Sequence, residues 1–197
     1  STLTMDEGAD ALMNYQTVLF RPIATSSVSS SSSSSWTMRM NPPSFEGSAM
    51  TITEYPMPVL RQKNREITDF DDHLLQTSKE MISIMYEAKG VGIAAPQVNL
   101  AKQLFVYNPS GDPQNTKMER IVCNPNILQY STETDMEQEA CLSSRSECCC
   151  GFVCRASSIM VEYQNENGLK TRRCLKGFEA RVFQHEYDHI QGILHFD

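Results

Sequence analysis

The sequence predicts an α+β fold: short antiparallel or mixed β-sheets packed around a C-terminal helix carrying H-E-x-x-H, with one further helix before the sheets. Three observations carry that expectation. An amphipathic pattern runs over residues 68–89. Short apolar runs broken by turn signals follow it, and a second amphipathic pattern covers residues 176–190. Strands grouped between two helices, with no internal repeat, fit an α+β layer arrangement.

Taken in order, Pro56, Pro58 and Val59-Leu60-Arg61 predict an extended, packed lead-in. Over 68–89, Thr68 with Asp71 makes a capping-box-like start, and Asp71 and Asp72 sit where the helix dipole favours negative charge. Leu74, Met81, Met85 and Ala88 share one face and are expected to pack into the core, with Gly90 as the C-cap. Leu104-Phe105-Val106-Tyr107 reads as a strand ended by the turn Asn108-Pro109-Ser110-Gly111-Asp112. Ile121-Val122-Cys123 reads as a second strand, stopped by Asn124-Pro125. Residues 158–163 form a third, followed by a hairpin signal at Asn165-Glu166-Asn167-Gly168. The last helix is opened by Gly177, halted near Gly192, and carries Phe178, Val182, His185 and His189 as its inner stripe.

Composition bounds the function. The 197 residues carry a net charge of −7, which argues against a polyanion-binding surface, so no direct nucleic-acid binding is expected. No apolar stretch is long enough to span a membrane. Seven cysteines, three of them adjacent (Cys148, Cys149, Cys150), suit a reducing compartment better than a disulfide framework. Residues 1–48 form a separate low-complexity extension, with an unbroken serine run over 29–35 that predicts a flexible linker. Arg21 and Arg39 are outnumbered there by Asp6, Glu7, Asp10 and Glu46, which does not match an Arg-rich organellar presequence. The catalytic domain is expected over 49–197.

The strongest chemical signal is His185-Glu186-Tyr187-Asp188-His189. Residues four apart differ by about 40° around a helix, so both imidazoles can share one metal ion while Glu186 takes a proton from water. A catalytic ion usually has three protein ligands. The third stays open between His195, which completes H-E-x-x-H-x-x-G-x-x-H, and Cys141 in Glu139-Ala140-Cys141-Leu142-Ser143. A metzincin-type protease needs downstream chain with a Met-containing turn. The sequence ends at Asp197, so His195 is expected to pack behind the helix. In Gly90-Val91-Gly92-Ile93-Ala94-Ala95-Pro96-Gln97, small residues permit close backbone approach, and Gln97 offers a side-chain amide donor.

Together these segments resemble the peptide deformylase family, whose members carry G-x-G-[LI]-A-A-x-Q, E-G-C-L-S and Q-H-E-x-D-H-x-x-G in that order. The counterparts here are Gly90 to Gln97, Glu139 to Ser143 and Gln184 to Gly192, and the resemblance covers roughly residues 52–197. It implies that Cys141, His185 and His189 hold the metal and that Glu186 is general base and then acid. It also implies that Gln97 and the Leu142 backbone N–H stabilise the oxyanion. Val91 and Gly92 would pair with the peptide, Ala140 would lie beside it, and Val182 would line the methionine pocket. The implied cofactor is one divalent ion, Fe2+ first, with Zn2+, Ni2+ or Co2+ able to substitute. The implied reaction is removal of the formyl group from N-formylmethionyl peptides, met as nascent chains near the ribosome, with release of formate.

Two departures stand out. Ala140 replaces the family's glycine, which costs about 1 kcal/mol if the position needs φ > 0. The segment after Ser143 is longer by about two residues; Arg145 and Arg155 are candidates for the family's basic contact there, and the cysteine triplet reads as a solvent-near strand or loop of small, soft residues, a second metal site or a redox sensor. The alternatives are a divergent deformylase-fold paralogue with altered or lost activity, or an H-E-x-x-H-x-x-G-x-x-H metalloprotease. A mitochondrial or plastid location is expected, with bacterial cytoplasm as the alternative.

Overall fold

The computed structural model describes residues 50–144 and 150–197. Residues 1–49, which include the Ser-rich extension, and residues 145–149 lie outside them. Helix α1 spans Asp72–Glu87 and helix α2 spans Gly177–Gln191. Between them run β1 (Gly92–Ala94), β2 (Leu104–Tyr107), β3 (Arg120–Tyr130), β4 (Thr134–Glu139), β5 (Gly151–Ala156), β6 (Ser158–Gln164) and β7 (Lys170–Lys176). The named strands pair antiparallel, as a five-stranded sheet ordered β1-β2-β3-β6-β7 and a separate β4-β5 ribbon. One isolated parallel bridge joins Arg65 and Lys102. This is the expected α+β arrangement. No helix among the described residues is long and apolar enough to cross a membrane.

Strand β2 shows how the layers form. Its four residues are all buried, because successive side chains enter opposite layers. Phe105 and Tyr107 join the cluster under α2, where the Phe105 and Phe183 rings meet edge-on at 5.0 Å. Leu104 and Val106 join Met81 and Met85 under α1. One end of the sheet is thus clamped between the helices.

Several local expectations need correction. Helix α1 is capped by Asp71, whose carboxylate accepts the Leu74 N–H at 2.9 Å; Thr68 lies outside the helix and donates to Asp69 instead. At the other end, Lys89 takes the left-handed backbone (φ 58°) and the Gly90 N–H returns to Met85 O. Gly90 is needed for space, since a Cβ there would lie 2.9 Å from Leu142 Cδ1. Pro58–Arg61 is a 3-10 turn, not an extended run. Asn124-Pro125 does not end β3. The strand continues through a register shift between Cys123 and Asn126, where Asn124 turns left-handed (φ 49°) and its side chain grips both backbone polar groups of Ile67 at 2.8 Å. The glycine-rich segment from Gly90 to Gln97 contains strand β1 and runs into a 3-10 turn, Ala95–Val98.

The lead-in works as a strap across the site. Thr53 N–H donates to Gln97 O at 2.7 Å and Tyr55 N–H to Ser143 O at 2.9 Å. Asn64 donates from backbone and side chain to Ile190 O at the end of α2, at 3.2 and 3.0 Å. One short stretch thereby touches all three sequence motifs. Gly192 ends α2 in the left-handed region (φ 80°), and a Cβ there would lie 2.7 Å from Arg61 O in the strap. Gly192→Ala is therefore expected to cost about 2 kcal/mol, seen as a fall of about 6 °C in melting temperature. An unchanged melting temperature would contradict the close approach.

Candidate metal centre

Helix α2 presents His185 and His189 on one face, both buried, and the turn after β4 brings Cys141 against them. One ligand atom from each of Cys141, His185 and His189 lies within 4.8 Å of the other two. Cys141 Sγ is 3.2 Å from His189 Nε2 and is a free thiol. Among the described residues this is the group able to hold a metal. His195 is not in it; its partly buried ring lies 5.9 Å from that of His185 between centroids.

The donor set fits a divalent ion. His185 Nδ1 is 2.8 Å from Glu139 Oε2, so Nδ1–H donates there and Nε2 is left for a cation. Burial holds the His189 imidazole well below its usual range, hence neutral, as a ligand must be. Burial also pushes the Cys141 thiol up to about 12, a shift that a bound cation reverses by deprotonating the sulfur. Glu186 Oε2 is buried with no hydrogen-bond partner among the described residues. An orphaned carboxylate oxygen in such a place is expensive unless a bound water or ion completes it. Burial, then the Glu139 charge, raises its carboxyl well above the ordinary range, which suits a proton acceptor.

Two further groups aim at the same point. Gln97 accepts the Ala94 N–H on Oε1 at 2.7 Å, which fixes its amide and turns Nε2 toward Cys141 Sγ at 3.4 Å. Gly92 makes room for Glu186: a Cβ there would lie 2.9 Å from Glu186 Cδ. Leu142 follows the thiol in a turn closed by Ser144 N–H to Cys141 O at 3.1 Å. Val91 and Val182 share the buried cluster beneath α2, and Val91 O is occupied by the Asn108 N–H at 2.8 Å. Ala140 is buried and is not among the described non-glycine residues with positive φ, so no left-handed backbone penalises its methyl group.

Sequence reasoning missed the layer behind the ligands. Glu139 is fully buried and accepts four hydrogen bonds, two on each oxygen. Oε1 takes Arg155 Nε at 2.6 Å and Arg181 Nη1 at 2.8 Å; Oε2 takes Arg155 Nη2 at 2.9 Å and His185 Nδ1 at 2.8 Å. Burial alone would raise this carboxyl, but the His185 and Arg155 contacts outweigh it and draw it far below the carboxylate range. Arg155, one of the two candidates for the family's basic contact, is buried and bonds to Glu139 and to Asp188, the latter at 2.8 Å. Arg145 and the cysteines at 148 and 149 lie outside the described residues; Cys150 is exposed. Gln184 pins α2 to β5 through both polar groups of Ala156, at 3.2 and 2.9 Å. One signal was available: Arg181 precedes His185 by one turn, and a charge at an inner position of α2 needs a buried acid.

Comparison with known proteins establishes the family. The family model for polypeptide deformylase matches residues 49–197. The chain belongs to the polypeptide deformylase family. It is 41% identical over 148 residues to peptide deformylase 1B, chloroplastic, of Solanum lycopersicum, covering 75% of this chain and 52% of that protein. It is 42% identical to a peptide deformylase of Thermotoga petrophila, covering 71% and 80%. The structure of peptide deformylase 1B from Arabidopsis thaliana superposes with a TM-score of 0.71 at 40% identity, covering 75% of this chain and 80% of that one. The chain spans about half the length of the plant relatives it matches (52%, 54% and 53%). Its deformylase fold is the α+β arrangement of two helices and small antiparallel sheets described above.

Cys141→Ala is expected to strip metal from the purified protein, whereas His195→Ala leaves metal content at the wild-type level. Elemental analysis after dialysis reads both, and the reverse pattern would move the third ligand to His195.

Proposed function

We propose that this deformylase-family chain removes the formyl group from N-formylmethionyl peptides and releases formate. The observation that carries the proposal is the convergence of a thiol, two imidazoles, an unpartnered buried carboxylate and an aimed amide donor from three separate segments. Cys141, His185 and His189 would hold one divalent ion, Fe2+ first or Zn2+, Ni2+ or Co2+ in its place, which when bound would supply Lewis acidity to the reaction.

The chain's own residues then divide the work. Glu186 accepts the proton of the attacking water and returns it to the leaving amide nitrogen. Gln97 Nε2 and the Leu142 N–H donate to the oxygen that becomes negative, each worth about 3 kcal/mol. Glu139 keeps His185 in one tautomer. Strand β1 is an edge of the large sheet, which supports backbone pairing between Val91-Gly92 and the peptide, with Ala140 alongside. Val182 lines the pocket for the methionine side chain. The attacked carbon bears only hydrogen, so a narrow site admits formyl and excludes larger acyl groups. Substrate meets the enzyme as nascent chains near the ribosome, and the plant relatives support an organellar setting, mitochondrion or plastid.

Formate release from a formyl-Met peptide tests the reading. Glu186→Gln is expected to keep its metal and lose activity by about 10²–10⁴-fold. Full activity in that variant would overturn the assignment of the base. Gly92→Ala is expected to lower kcat by at least about tenfold by pushing Glu186 aside; wild-type kcat would show that the carboxylate has room to spare.

A further inference from the structure

We propose that Arg181 is a positioning residue for the metal centre: it acts through Glu139 on His185 and sets how firmly the centre keeps its ion. The proposal rests on the Cys141–His185–His189 site described above. A carboxylate offers about four lone-pair directions, two on each oxygen. Arg155 fills one on each oxygen and His185 a third. Arg181 Nη1 takes the fourth, at 2.8 Å from Oε1. With that site filled the carboxylate has no free direction left and cannot pivot about its terminal bond, so the oxygen facing His185 Nδ1 stays where it is.

Arg181 reaches Glu139 from the metal helix itself. Arg181 and His185 are four residues apart on α2, hence neighbours on one face, and both close on the same carboxylate. Glu139, two residues before Cys141, is thereby bound to the element that carries both imidazoles. The rest of the guanidinium is anchored: Nη1 also donates to Val153 O at 2.9 Å, and Nη2 to Asp135 O at 2.6 Å. Both strands of the β4-β5 ribbon therefore hold the fork, and Nε stands 3.4 Å from Glu137 Oε2. The planar fork makes these contacts together. A lysine ammonium on a flexible stem cannot.

The test is metal retention, read independently of turnover. Wild type, Arg181→Met, Arg181→Lys and Arg173→Met are loaded with Zn2+, and its release to a colorimetric chelator is timed beside thermal melts. Arg173 is the control, because it makes a fork to Glu179 at 2.8 and 3.4 Å in the first turn of the same helix and touches no ligand. Loss of an ion behind a metal-bound histidine typically weakens retention 10–100-fold, so R181M is expected to release Zn2+ at least about tenfold faster than wild type. R173M is expected to match wild type. Release from R181M no faster than from wild type, or no faster than from R173M, overturns the proposal. Should R181M fail to fold, R181K carries the test: release faster than wild type supports the role, and an unchanged rate overturns it. A wild type that takes up no Zn2+ sinks the centre itself, which is a different failure.

Discussion

A single buried carboxylate governs this site. Glu139 orients His185, and two arginines hold Glu139. With Asp188, two positive side chains face two negative ones, and Arg181 also reaches the exposed Glu137. Such clusters contribute little net stability, because desolvating the ions offsets their attraction. Their value here is geometric: they leave one tautomer of His185 and one rotamer of Glu139. Everything nearer the metal inherits that definition.

The fold supplies what the cluster cannot. Helix α2 places His185, His189 and Glu186, the turn after β4 places the Cys141 thiol, and the 3-10 turn after β1 places the amide of Gln97. These segments are far apart in sequence. The strap over residues 53–64 bonds to each of them, and Gly92 and Gly192 permit contacts that a side chain would block. The centre is therefore assembled by long-range packing onto two helices and one sheet edge, which suits a site whose ligands must sit within a few tenths of an ångström of their working positions.

Much of this was legible in the sequence. The period of α1, the hairpin at Asn165–Gly168 and the i, i+4 histidines are local patterns, and each was found where expected. Cys141 as third ligand came from the motif and not from any local rule, since residue chemistry alone left His195 open. Features that depend on distant partners were missed. Asn124-Pro125 looks like a strand end, yet the Asn124 side chain bonds to Ile67 and to Gln164 and carries β3 through the break. Gly90 looks like a helix cap, but Leu142 is what requires it to be small. The β4-β5 ribbon escaped notice because Met136 and Phe152 face outward while Glu139 and Arg155 face inward, which inverts the usual apolar-in pattern. Arg181 and Arg155 stayed unread for the same reason: a buried ion pair is a property of two elements, and neither sequence segment shows its partner.

The proposed deformylase activity requires one divalent ion at Cys141, His185 and His189. Metal content and formate release should be measured on the same anaerobically purified sample, then again after chelation and after reloading. The account predicts that formate release falls with the metal and returns with it, in proportion. A folded, fully loaded protein that releases no formate, or one whose release survives removal of the metal, would contradict it.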